Sequence, residues 1–248
     1  MSLMQVRGLT KRFGGLVATD ALDLDITAGE VHAIIGPNGA GKTTLISQLS
    51  GALVPDGGSI RLRGADITRL PAHDRVRRGI ARSFQVTNVF RAMSAVDNAA
   101  LAVQAGNGSS FRFWRAVTDE RHLFEQAREL LARVGLQDRA AIVAGMLAHG
   151  EQRQLEVALA LATRPSLLLL DEPMAGMGPD ESARMVELIA RLRGALTIVL
   201  VEHDMDAVFR LADRVSVLVY GRLLATGTAD DIRTNDDVKR AYLGADTT

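Results

Sequence analysis

Eight consecutive residues carry the sharpest chemical signal in this chain: Gly36, Pro37, Asn38, Gly39, Ala40, Gly41, Lys42 and Thr43, followed by Thr44, spell G-x-x-x-x-G-K-T. Glycines at this spacing let backbone N–H groups converge on phosphate oxygens, and a helix starting directly behind them adds positive potential. Lys42 has the reach for the β- and γ-phosphates of a nucleotide, and the Thr43 hydroxyl can bind Mg²⁺. The flanks are those the chemistry needs, an apolar strand "VHAII" before the loop and a helical run "TTLISQLSG" after it. Lys42 is also one of three lysines, with Lys11 and Lys239, in a chain that otherwise uses arginine.

Other candidates sit where apolar runs end. In "LLLLDEP", Asp171 emerges from a strand and can hold Mg²⁺ across from Thr43. Glu172 is next, placed to polarise or deprotonate an attacking water, and Pro173 stops the ladder and forces a turn. "TIVLVEHD" repeats the pattern, and His203 can hydrogen-bond a phosphate oxygen or that water. Gln85 ends "ARSFQ" and is a further candidate for Mg²⁺ and water. Each of these would be an ordinary polar strand terminus on its own; the cradle gives them a common target.

The elements that must position these residues are legible in outline. "MQVRGL", "ALDLDI", "VHAII" and "SIRLRG" are strand-like and crowd the front, so an antiparallel sheet is expected beside a parallel one. From Val31 onward strands alternate with helical stretches, the rhythm of an α/β fold, and the uniformly apolar "LLLL" and "TIVLV" read as central strands buried on both faces. Between Phe90 and Thr163 the pattern becomes helical: "AVDNAALAVQA", then "GNGSS", then "DERHLFEQARELLARVG", stopping at Gly135. The tail reads as a hairpin and two short helices. Lys+Arg and Asp+Glu both total 29, which gives no basic excess for nucleic acid. Without cysteine there are no disulfides, thiolate metal sites or cysteine nucleophile. No apolar run approaches the ~18 residues of a membrane span, and "MSLMQVRGLTKRFGG" lacks a signal-peptide pattern, so a cytoplasmic protein is expected.

Taken together, the cradle, Gln85, "LAHGE" at 147–151, "LLLLDEP" and His203 occur in the order and spacing of an ABC transporter ATP-binding subunit, which the whole chain resembles. "LTKRFGGLVATDALDLDI", "RGIARSFQVTNVFRAMSAVDNAALA" and "DVKRAYLG" are similar to the ATP-binding subunits of branched-chain amino acid uptake systems. The resemblance implies a P-loop NTPase (RecA-like) α/β core, about 1–85 and 164–248, with an N-terminal antiparallel β subdomain and an inserted α-helical subdomain, about 86–163, together one nucleotide-binding domain over 1–248. It implies ATP with Mg²⁺, and a second ATP-binding subunit, different from this one, packed head to tail. Two integral-membrane permease subunits and, indirectly, an external substrate-binding protein complete the assembly, with this subunit peripheral on the inner face of the membrane. By the same resemblance Phe13 stacks on adenine with Val17 nearby, although a core phenylalanine would read the same. The helical lobe meets the permease, and "SSFRFWRAV" is either part of that contact or lobe core.

The signature segment, which by this resemblance acts on the nucleotide of the facing subunit, reads Leu147, Ala148, His149, Gly150, Glu151 in place of L-S-G-G-Q. Gly150 and the following helix are kept, but Ala148 has no hydroxyl, and Glu151 brings either a charge near phosphate or a helix cap. Gly178 stands where an aspartate or asparagine is common in the loop after Glu172. The expectation is an asymmetric pair of ATP sites, the one on this chain's Lys42, Glu172 and His203 being the more competent. A soluble ABC ATPase or a nucleotide-sensing module is the alternative; the presence of both Glu172 and His203 argues against sensing alone.

Overall fold

The computed structural model describes residues 2–83, 89–106 and 118–243, whose strands form two sheets. The first is antiparallel and holds β1 (Ser2–Phe13), β2 (Leu16–Thr27), β4 (Gly57–Leu62) and β5 (Ala65–Asp66) in the order β2-β1-β4-β5. The second runs β10-β9-β3-β8-β7-β6, built from β3 (Val31–Ile35), β6 (Ile80–Arg82), β7 (Leu167–Asp171), β8 (Thr197–Val201), β9 (Arg214–Val219) and β10 (Arg222–Gly227). All its neighbours pair in parallel except β10, which closes a hairpin on β9.

The uniformly apolar strands are buried on both faces, as their composition requires. Leu167 and Leu169 of β7, with Val199 and Val201 of β8, face one core, whereas Leu168, Leu170, Ile198 and Leu200 face another. Helix α1 (Lys42–Ser50) fills the space between the two sheets: its Leu45, Ile46 and Leu49 pack with Met4, Leu9 and Ile60 of the front sheet and with Leu167 and Val199 of the parallel one. The opposite face is covered by α6 (Pro179–Leu192), through Met185, Leu188 and Ile189, and by α7 (Met205–Leu211).

The helical region contains α3 (Ala95–Gly106), α4 (Thr118–Arg133) and α5 (His149–Leu161), after α2 (Ala72–Arg77) earlier in the chain. Ala99, Val103, Leu131, Leu155 and Ala158 from these helices belong to the same apolar cluster as Leu168 and Leu170, so the lobe is packed onto the sheet through α5. Helix α4 ends as read from sequence: Gly135 is left-handed (φ +82°), and Leu136 N–H bonds back to Leu131 O at 2.8 Å. The aromatic stretch "SSFRFWRAV" lies outside the described residues. Two short helices, α8 (Ala229–Thr234) and α9 (Asp236–Leu243), follow the hairpin.

One buried charge ties α1 to α2. Arg75, 1% exposed, donates to Gln48 O (2.6 Å) and Leu49 O (2.9 Å) at the C-terminal end of α1, and to Leu70 O and Thr68 O. Desolvation pushes its guanidinium pKa down to about 10, with Asp66 opposing the shift. Those carbonyls would lose their donor in Arg75→Met, which should lower stability by about 3 kcal/mol, read as a reduced urea midpoint with unchanged slope.

Candidate nucleotide site

The loop after β3 is held by close backbone packing on two sides. A Cβ at Gly36 (φ +154°) would lie 2.0 Å from Leu218 O, and one at Gly41 (φ +104°) 2.2 Å from Ala18 O. Any side chain at either position would push the loop away from β9 or β2. Gly221 N–H, from the β9–β10 turn, also donates to Ala40 O at 2.9 Å. The N-terminus of α1 is thereby aimed out of the sheet, at the carboxyl ends of β3, β7 and β8.

A cleft of about 380 Å³ opens there, lined by Phe13, Asn38, Gly39, Gly41, Lys42, Thr43, Thr44 and Glu172, with Leu16, Ala18 and Ala40. The structure therefore gathers the cradle, Phe13 and Glu172 around one space. Gly36 and Pro37 underlie it, and their carbonyls accept from Lys42 Nζ at 2.7 and 3.1 Å. Burial pushes the Lys42 ammonium down from its usual pKa, while the Glu172 and Asp171 carboxylates hold it up. Phe13 is half exposed, with Lys11 Nζ 5.7 Å from its ring centroid. Val17, half-buried opposite Arg12 in the β1–β2 register, contributes nothing to the cleft lining; Leu16 and Ala18 on either side do.

Asp171 ends β7 and is buried; Oδ2 accepts from Arg82 at 2.9 Å, and among the described residues Oδ1 has no hydrogen-bond partner. Desolvation raises its carboxyl pKa, with Arg82 opposing. An orphaned carboxylate oxygen in a buried position is the donor a hard cation takes, and the Thr43 hydroxyl is exposed in the same cleft. Glu172 follows in the left-handed region, φ +48°, with its N–H donating to Val201 O at 2.9 Å. That is a costly conformation for glutamate, held by the ladder at the strand end. Gln85 lies outside the described residues.

His203 is exposed at the end of β8, its backbone N–H donating to Glu202 Oε2 at 3.0 Å. Glu202 is buried, and its Oε1 accepts from Met174 N–H at 2.9 Å, so one carboxylate links the turn after Glu172 to the backbone of His203. Sequence reading passed over Glu202, Arg82 and Glu181, although each is a charge at a strand end or in a first helical turn and was visible as such.

The segment Leu147–Glu151 forms the entry to α5, away from the cleft lining. Ala148 occupies the cap position and offers no side-chain acceptor. Glu151 acts as a cap: Oε2 accepts from Ala148 N–H at 3.0 Å, and Arg139 Nε donates to Oε1 at 2.9 Å. Gly150 N–H donates to Glu181 Oε1 at 3.1 Å, and the His149 ring lies 3.5 Å from where a Cβ at Gly176 would be.

The family model described as "ABC transporter" matches residues 19–175, and one described as "Branched-chain amino acid ATP-binding cassette transporter" matches residues 222–248. The chain is 43% identical to the high-affinity branched-chain amino acid transport ATP-binding protein BraF of Pseudomonas aeruginosa, over 98% of both chains, and 42% identical to LivG of Escherichia coli, with 98% of both covered. Among solved structures, it is similar to a nucleotide-free ATP-binding cassette from an ABC transporter (TM-score 0.86, 26% identity, 98% of this chain and 99% of that one). An ADP-bound cassette gives a TM-score of 0.85 at 27% identity, again over 98% and 99%. Family model, full-length relatives and fold all agree, and the chain belongs to the ABC transporter ATP-binding proteins.

Proposed function

We propose that this chain hydrolyses ATP at the cytoplasmic face of an importer for branched-chain amino acids, paired head to tail with a second, different ATP-binding subunit beneath two permease subunits that an external binding protein loads. The observation that carries the reading is that a phosphate-binding loop, Lys42 and a strained Glu172 line one cleft, beside the buried, partnerless oxygen of Asp171. The substrate class is carried by the full-length likeness to BraF and LivG and by the C-terminal family match. Residues 1–248 act as one nucleotide-binding domain, a core of about 1–85 and 164–248 with a helical lobe of about 86–163.

Phe13 takes the adenine on its free face, and Gly36–Thr44 wrap the phosphates with backbone N–H groups. Lys42 moves from the carbonyls of Gly36 and Pro37 to the β- and γ-phosphates, which restores in phosphate oxygens what it loses in carbonyls. Asp171 Oδ1, Thr43 and Gln85 would hold Mg²⁺, whose charge offsets that building up between the β- and γ-phosphates. Glu172 accepts a proton from the attacking water as that oxygen bonds the γ-phosphorus; the β–γ bridging bond breaks, leaving ADP and phosphate. His203, placed by Glu202, hydrogen-bonds a γ-phosphate oxygen.

Leu147–Gly150 meets the nucleotide of the facing subunit, where Ala148 supplies no hydroxyl. Glu151 does not add to the charge there, because it is spent on the Ala148 N–H and Arg139. The permease docks on an exposed apolar patch of the lobe made by Phe90 (63% exposed), Ile142, Val143 and Met146 (80% exposed), two segments joined by Ala144 N–H to Met93 O at 2.8 Å. Among the described residues no helix is long and apolar enough to cross a membrane.

In the transporter purified through a tag on this chain, Glu172→Gln should cut ATP turnover by at least about a hundredfold, while Ala148→Ser changes it by about tenfold or less. Equal losses from disabling the catalytic glutamate of either ATP-binding subunit would contradict the asymmetry. Phe13→Ala should weaken ATP binding about fivefold, for the loss of about 1 kcal/mol of stacking, measured by fluorescent-nucleotide titration. Uptake of labelled leucine into cells should require Lys42; uptake that survives Lys42→Ala would remove the substrate assignment.

A further inference from the structure

The N-terminal end of α5 already faces a carboxylate. Glu181 Oε1 accepts the Gly150 N–H at 3.1 Å, and Oε2 accepts the Gly178 N–H at 3.4 Å. The contact is close: a Cβ at Gly150 would stand 3.0 Å from the Cβ, Cδ and Oε1 of Glu181. The neighbouring Glu151 is matched by Arg139, but among the described residues Glu181 makes no ion pair. A negative group from the first turn of α6, where it also caps that helix, thus sits on the one signature N–H whose glycine is retained in this chain, and it comes from the helix that follows the loop after Glu172.

We propose that Glu181 is a positioning residue that plugs the signature segment in the resting subunit. Its carboxylate stands in for the γ-phosphate of the facing nucleotide at Gly150 N–H and must leave before the two subunits close. Phosphate and carboxylate carry the same sign of charge and compete for the same donor, so closure has to overcome repulsion as well as loss of the bond. Because the side chain also holds Gly178, its departure releases the loop that begins at Glu172, so arrival of one subunit's ATP is felt beside the other's catalytic glutamate. A glutamine at 181 keeps the acceptor and removes the charge.

This rests on the reading that Leu147–Gly150 acts on a facing nucleotide, and the test separates the two. In the isolated full-length chain without nucleotide, amide exchange at Gly150 and Gly178 should accelerate in Glu181→Ala; unchanged exchange at Gly150 would overturn the plug. In the transporter co-purified through a tag on this chain, Glu181→Gln should lower the ATP concentration for half-maximal turnover by about tenfold, with a much smaller change in kcat. A half-saturating concentration that is unchanged or raised would overturn it as well, since a merely structural bracket gives that result. Gly150→Asp, which places a carboxylate on the segment itself, should abolish turnover. Normal turnover in Gly150→Asp would instead overturn the trans reading, and the role of Glu181 would fall with it.

Discussion

Helix α1 is packed between two sheets, and everything at the nucleotide site follows from that wedge. Leu45, Ile46 and Leu49 are fully buried against strands on either side, Arg75 caps its far end, and the loop in front is pinned between Ala18 O and Leu218 O. A helix held at both ends and on two faces cannot tilt or slide, so its N-terminus and the preceding N–H groups point at one place. Phosphate binding of this kind depends on preorganisation; a loop that had to be ordered by its ligand would lose part of the binding free energy to entropy.

The second organising theme is the use of carboxylates as backbone braces. Glu202 joins the turn after Glu172 to His203, Glu151 caps α5, and Glu181 ties α5 to the loop before α6. Each of these bonds sets a carboxylate as acceptor on a backbone N–H donor, stronger than a neutral pair. Asp171 differs: one oxygen is bound by Arg82 and the other is left without a partner among the described residues. A buried lone pair of that sort is tolerated where a cation completes it.

Departures from the family's signature also acquire a physical meaning. Ala148 leaves α5 with a half-made cap, since Glu151 bonds the Ala148 N–H and no hydroxyl returns the bond. Gly178 likewise has no side chain to start α6, and Glu181 accepts its N–H. Both losses fall on segments outside the cleft of this chain's own cradle, which keeps every phosphate-binding residue type.

From residue order alone came the cradle and its flanks, the two-faced burial of "LLLL" and "TIVLV", the strand-end positions of Asp171, Glu172 and His203, and the stop of α4 at Gly135. These depend on local rules: side-chain period, glycine at positive φ, and the placement of charge where an apolar run ends. Which sheet edge meets which, and which carboxylate finds which N–H, depends on contacts between residues far apart in the chain. Glu181 and Gly150 are 31 residues apart, and Arg82 and Asp171 are 89 apart. No periodicity encodes such pairs. Glu151 shows the division within one residue: sequence allowed either a cap or a charge beside phosphate, and the approach of Arg139 across the turn decided for the cap.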